Sequence, residues 1–159
     1  ARTPILVRQT ANRPIAAIHR SVTYFRNSLL ACHGVEGIPN VVLVAALNST
    51  LLAFAHRMQF GDSNQKVFPQ VKVKHLRNLP MFDRGMLERQ TVNPDCSGQT
   101  IREALTQTAV GIEGAKTDGR LDLLPALFDR LDRLVLELYS IDLGLLDSLS
   151  ATITGSSEG

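Results

Sequence analysis

The sequence predicts an α+β fold: a small N-terminal β-meander sheet packed on a buried helix, followed by a C-terminal helical segment. Three observations lead there. Residues 4–33 are short apolar runs broken by polar turns, residues 41–58 are apolar nearly all round, and beyond residue 99 the leucines recur at helical spacing. A chain of 159 residues can bury roughly two thirds of its unfolded surface in one core.

Strands are expected over 4–9, 14–20, 22–25 and 28–33, with turns such as Thr10-Ala11-Asn12-Arg13 and Arg26-Asn27 between them. Pro39-Asn40 opens the helix, Asn40 serving as N-cap because its side chain accepts from free backbone N–H groups. Helix 41–58 should be buried against the sheet. Asn48 and Ser49 within it are read as structural, bonding nearby backbone. His56 and Arg57 fall in its last turn, where cations suit the helix dipole. After Gly61-Asp62-Ser63-Asn64 comes a strand over 66–74, with Val71 and Val73 inward and Lys72 and Lys74 outward.

Residues 81–98 carry Pro94 and no periodicity, and read as a connecting segment. Helix 99–116 places Ile101, Leu105, Ala109 and Ile112 on one side. Leu124, Leu127, Leu131, Leu134 and Leu138 then form a heptad-like stripe, explained as core packing, with Asp129, Arg130, Asp132 and Arg133 on the wet face. A short helix over about 143–152 precedes an expected disordered tail, 155–159. The organisation is therefore a basic β-rich part (1–80), a connecting segment (81–98) and an acidic helical part (99–154), within one compact domain.

Composition narrows the function. With 44% hydrophobic and 20% charged residues the chain is globular. Aromatics at 5%, with no Trp, argue against a sugar-binding or base-stacking surface. The longest apolar run, 41–55, is shorter than the roughly 20 residues that span a bilayer. There is no signal-peptide pattern either, so a soluble, cytoplasmic protein is expected. Because the chain begins at Ala1 and runs straight into Pro4-Ile5-Leu6-Val7, it is expected to be a piece of a longer polypeptide. Cys32 and Cys96 have no metal-ligand spacing and read as free thiols. His19, His33, His56 and His75 form no HxxxH pair, and no metal site is expected.

Charge is unevenly distributed. Residues 1–90 hold 12 Lys or Arg against 4 Asp or Glu, and residues 91–159 hold 5 against 11, so a +8 half precedes a −6 half and the net is +2. Such asymmetry suggests an anionic partner for the basic half. Catalytic motifs are missing. Gly111-Ile112-Glu113-Gly114-Ala115-Lys116-Thr117 lacks the glycine before the lysine and closes a helix where a phosphate loop would open one. Asn93-Pro94-Asp95-Cys96 lacks the second proline and the aromatic of the Asn-Pro-Pro-aromatic tetrapeptide of amino-group methyltransferases.

The order of the segments is more telling. Pro4-Ile5-Leu6-Val7-Arg8 and Ile15-Ala16-Ala17-Ile18 lead to Tyr24 and Ser28-Leu29, then Leu47-Asn48-Ser49 within an apolar helix with a basic exit at His56-Arg57. Phe68-Pro69-Gln70-Val71-Lys72-Val73, Leu76-Arg77-Asn78-Leu79-Pro80 and Leu131-Asp132-Arg133-Leu134-Val135-Leu136-Glu137-Leu138-Tyr139 follow. Together they resemble the TaqI-like C-terminal specificity domain of adenine-specific DNA methyltransferases, also found in single-chain type II restriction-modification enzymes.

The resemblance implies a non-catalytic, bacterial DNA target-recognition domain. Its partners would be duplex DNA and an N-terminal catalytic methyltransferase domain in the same parent chain, with no membrane involved. That catalytic domain would use S-adenosylmethionine, while this chain would need no cofactor. The basic half supplies the candidate DNA contacts: Arg8, Arg13, Arg20, Arg26, Arg57, Lys66, Gln70, Lys72 and Lys74. Two alternatives stand beside this reading: a fragment of a type I restriction specificity subunit, and a helical protein-interaction module.

Overall fold

The computed structural model describes residues 4–20, 28–61 and 69–154. Strands β1 (Ile5–Arg8), β2 (Ala16–Ile18) and β3 (Leu29–Cys32) form an antiparallel sheet in the order β2-β1-β3. Ile5 pairs with Ile18 on one side and Cys32 on the other; Val7 pairs with Ala16 and Leu30. Ile5 and Val7 point into the core while Leu6 and Arg8 lie on the outer face, the alternation a strand imposes. The order corrects the meander, in which β2 would sit in the middle. β1 takes that place, and two of its four residues are fully buried. The expected strand 22–25 lies outside the described residues.

Helix α1 (Asn40–Leu47) buries Val42, Leu43, Ala45 and Ala46 against β2 and the later helices. Its N-cap is Pro39, not Asn40: the proline ring sets φ at −61° and leaves Asn40 as the first helical residue. The expected single helix over 41–58 is two. After Leu47 the axis bends by 60° into α2 (Thr50–Phe60). Asn48, Ser49 and Thr50 are short polar residues that compete for backbone bonds, and Ser49 takes an extended conformation as the N-cap of α2. Its Oγ donates to Ala46 O at 2.6 Å and accepts from Leu52 N–H at 3.3 Å, closing one helix and opening the next. Ser49 thus bonds neighbouring backbone, as expected of it, whereas the Asn48 side chain bonds the distant Ala16 of β2.

The run around Val71 is also corrected. Residues 69–72 are extended and continue the pairing of β1, through a Thr10–Gln70 bridge and Val71 N–H to Gln9 O at 2.8 Å. The chain then turns into a short helix, α3 (Val73–Arg77). Val71 is fully buried, but Val73 faces outward, 48% exposed. Only one residue of the alternation has a strand to pack on; from Lys72 onward the carbonyls accept helical bonds. Residues 66–68 of the expected strand lie outside the described residues.

Residues 81–98 are more ordered than a connecting segment. They contain a one-turn helix, α4 (Arg84–Leu87), N-capped by Asp83, and a 3-10 turn at Pro94–Cys96 N-capped by Asn93. A Gln90–Thr100 bridge draws the segment onto the start of α5 (Ile101–Thr117), where Thr100 and Glu103 form a capping box. Gly119, at φ +71°, ends α5, and Arg120 N–H returns to Ala115 O at 2.8 Å.

α6 (Leu124–Leu138) packs along α5 and buries Leu131, Leu134 and Leu138, so the stripe is core. Asp132 departs from the expected wet face and is turned inward onto α2. α7 (Leu146–Thr154) lies against α2. One cluster of buried side chains runs from Ile5 and Val7 through α1 and α2 to Leu138. Among the described residues no single helix is long and apolar enough to cross a membrane.

Candidate nucleic-acid interface

The basic half divides according to what each cation already holds. At the break between α1 and α2 the side-chain amide of Asn48 pairs with the outer edge of β2, accepting from Ala16 N–H at 2.7 Å and donating to Ala16 O at 2.8 Å. The amide thus stands in for one residue of a neighbouring strand and closes part of an open edge. Arg13 Nη2 donates to Asn48 O at 2.7 Å and Ser49 O at 3.1 Å, satisfying carbonyls freed by the helix break.

Asp132 completes the junction by accepting from Thr50 N–H at 2.7 Å and Thr50 Oγ1–H at 2.6 Å. Burial pushes the Asp132 carboxyl above its usual range, opposed by the Thr50 bonds and Arg13, and burial likewise lowers the Arg13 guanidinium. Beside this junction runs a groove of about 640 Å³ between β2, α1, α5 and α6, with Ile15, Val44 and Phe128 among its walls.

Arg57 is also engaged: its Nη1 donates to Ile153 O at 2.9 Å, near the C-terminal end of α7. Arg20 is exposed and pairs with Glu113 of α5 at 2.9 Å. Arg26 and Lys66 lie outside the described residues.

The remaining candidates are brought together. Arg8 ends β1, and the Thr10–Gln70 bridge sets Gln70 beside the continuation of that strand, two residues before Lys72. Gln70, Lys72 and Lys74 are exposed, as is Arg77, which lies one helical turn from Lys74. Among the described residues none of Arg8, Lys72, Lys74 and Arg77 has an ion-pair partner. The result is a cationic turn around α3, with the exposed Val73 within it, joined through Gln70 to the chain that continues from Arg8. Arg77 was missed from the candidates because its exposure depends on α3 being a helix.

Beneath α3 lies a small aromatic group. His56 of α2 and His75 of α3 are both buried, with His56 Nε2 3.3 Å from His75 Nδ1. Phe60 stacks on the His75 ring at 4.3 Å between centroids. His75 Nδ1 also accepts from Lys72 N–H at 3.2 Å. Burial lowers the affinity of both rings for a proton, His75 adding to the effect on His56, and Lys74 and Lys72 to that on His75.

The sequence stretches set aside as catalytic motifs are structural here. Residues 111–117 end α5, and Asn93 Oδ1 accepts from Asp95 N–H at 3.0 Å in its own turn. Cys32 and Cys96 are free, and burial pushes both thiols up. Among the described residues no group of three or more His, Cys, Asp or Glu is placed to hold a metal ion.

A family model described as the TaqI-like C-terminal specificity domain matches residues 2–81, half of the chain. That span contains the whole sheet, both halves of the broken helix and α3. No curated protein and no solved structure matches the chain.

Proposed function

Because the chain belongs to the family of TaqI-like C-terminal specificity domains, we propose that it lies on duplex DNA as the target-recognition part of an adenine-specific DNA methyltransferase or restriction-modification enzyme. The observation that carries the reading is the patch of Arg8, Gln70, Lys72, Lys74 and Arg77. It sits within the matched span, and its cations have no carboxylate partner among the described residues. Cations left free on one surface neutralise phosphates and release counterions, which gives affinity and orientation on the duplex. Gln70 is the side chain in the patch suited to a bidentate contact with adenine, and Arg8 and Arg77 to guanine.

Methyl transfer belongs to a separate N-terminal domain of the same parent chain, which binds S-adenosylmethionine and receives the target adenine rotated out of the stack. Asn93–Cys96 does not serve that chemistry, since the Asn93 oxygen is bonded within its own turn. The setting is the bacterial cytoplasm, with no membrane.

Fluorescence anisotropy with a labelled duplex at several salt concentrations tests the reading. The logarithm of the binding constant should fall linearly with that of salt, with a slope of magnitude roughly 3 to 7 for about that many phosphate contacts. A flat salt response, or no binding at low salt, would remove the proposal.

A further inference from the structure

We propose that the His56–His75 pair is a positioning device for the cationic turn: with both rings neutral it holds the start of α3 in place, and protonation of either ring releases it. This inference rests on the DNA-binding reading for its consequence, but not for its mechanism.

The hydrogen-bond geometry fixes which atoms carry protons. Lys72 N–H is always a donor, so His75 Nδ1, which accepts from it at 3.2 Å, must be bare. His56 Nε2, 3.3 Å from the same nitrogen, then carries its hydrogen, since two bare nitrogens would repel, and shares the one lone pair of His75 Nδ1 with Lys72 N–H. That leaves His56 Nδ1 as a bare acceptor, and it is buried with no partner among the described residues. Phe60, stacked on His75, occupies one face of the pair.

Protonation meets an obstacle at either ring. A proton on His75 Nδ1 would point at two N–H groups, those of Lys72 and His56. A proton on His56 Nδ1 would create a buried N–H with no acceptor. The charged groups around the pair do not help. Lys72 and Lys74 are cations that oppose a further positive charge, and Arg57 of α2 is turned to Ile153 O. Of the carboxylates on the helices packed against α2, Asp132 of α6 is bonded to Thr50, Asp129 is paired with Arg133, Glu137 accepts from Thr91 and Val92, and Asp147 of α7 acts on Arg133.

The sign follows from linkage. Both rings hold a proton less readily in the folded turn than when released, so the turn is most secure above the ordinary histidine range and loosens as pH falls through it. The consequence runs against simple electrostatics. A basic surface ordinarily binds DNA more tightly in acid, as its histidines gain charge, whereas here Lys72 and Lys74 would lose their fixed placement.

Hydrogen exchange of the full chain without DNA, corrected for the intrinsic pH dependence, reads the turn directly. Between pH 7.5 and 5.5 the protection of the Lys72 amide should fall, by at most about tenfold for each histidine that titrates on release. Amides in the middle of α5 and α6 should hold theirs. The double variant H56Q/H75N keeps a donor and an acceptor near the original positions but does not titrate, and its Lys72 protection should be flat. Constant protection in the unmodified chain, or an equal loss in the double variant, would overturn the proposal. Should the double variant not fold, proton NMR titration of the unmodified chain decides: two histidines that titrate at the ordinary value refute the device. Duplex affinity measured over the same pH range separates the two readings. A chain that binds no DNA at any pH refutes the proposed function, while the exchange result still decides for or against the pair.

Discussion

Substituting Arg13 by Gln in one variant, and Lys72 and Lys74 by Glu in another, separates cations that hold the fold from cations left for a partner. One Arg13 nitrogen bonds the carbonyls of Asn48 and Ser49 at 2.7 and 3.1 Å. A hydrogen bond to a charged donor contributes about 1.5–3 kcal/mol. Two bonds through one half-buried nitrogen, with water able to reach part of the gap, amount to about 2–3 kcal/mol. For a chain of this size each kcal/mol moves the melting temperature by about 2–4 °C, so R13Q should melt about 4–12 °C lower. Lys72 and Lys74 are exposed and make no ion pair among the described residues, so K72E/K74E should melt within about 2 °C of the parent. Duplex affinity should behave in the opposite sense: K72E/K74E loses binding and its salt slope drops by about one for each lysine that meets a phosphate. Circular dichroism melts and anisotropy titrations on the same preparations provide both readouts. An R13Q variant that melts with the parent, or a K72E/K74E variant that melts more than about 5 °C lower, would refute this division of the basic residues.

Two further outcomes follow from the same junctions. Asn48→Ala removes both bonds to Ala16 and opens the outer edge of β2; a loss of about 2 kcal/mol is expected from two ordinary hydrogen bonds, read as a fall in melting temperature of about 4–8 °C. Tyr139 donates its hydroxyl to Pro80 O at 2.7 Å, and burial pushes its phenol up to about 12. In a Tyr24→Phe variant, which leaves Tyr139 as the single tyrosine, ultraviolet titration should show ionisation near that value. Stability should decline between about pH 10 and 12, because the unfolded chain releases that proton first. A phenol titrating near 10 in the folded protein would contradict the burial of this ring.

What the sequence determined by itself is what local periodicity can encode. The short apolar run at Ile5-Leu6-Val7, bounded by a polar turn, marked β1, and the spacing of Leu131, Leu134 and Leu138 marked the buried side of α6. The order of short segments pointed to the family whose model matches residues 2–81. The split of charge between the halves was equally plain, since it needs no structure.

Tertiary structure decided which of those charges are free. Arg13 and Arg57 look like surface cations in the sequence, but their acceptors lie 35 and 96 positions away, at Asn48 and Ile153. Asp132 fits the wet side of its helix by spacing, and turns inward because Thr50 offers it two donors from 82 positions away. Val73 continues the alternation of Val71, yet it faces solvent because the strand has no neighbour beyond that point and the chain coils. Even Asn48, polar in an apolar run, shows its purpose only when Ala16 is set beside it. A side chain's periodicity is local, but its partner is chosen by the packing of distant segments.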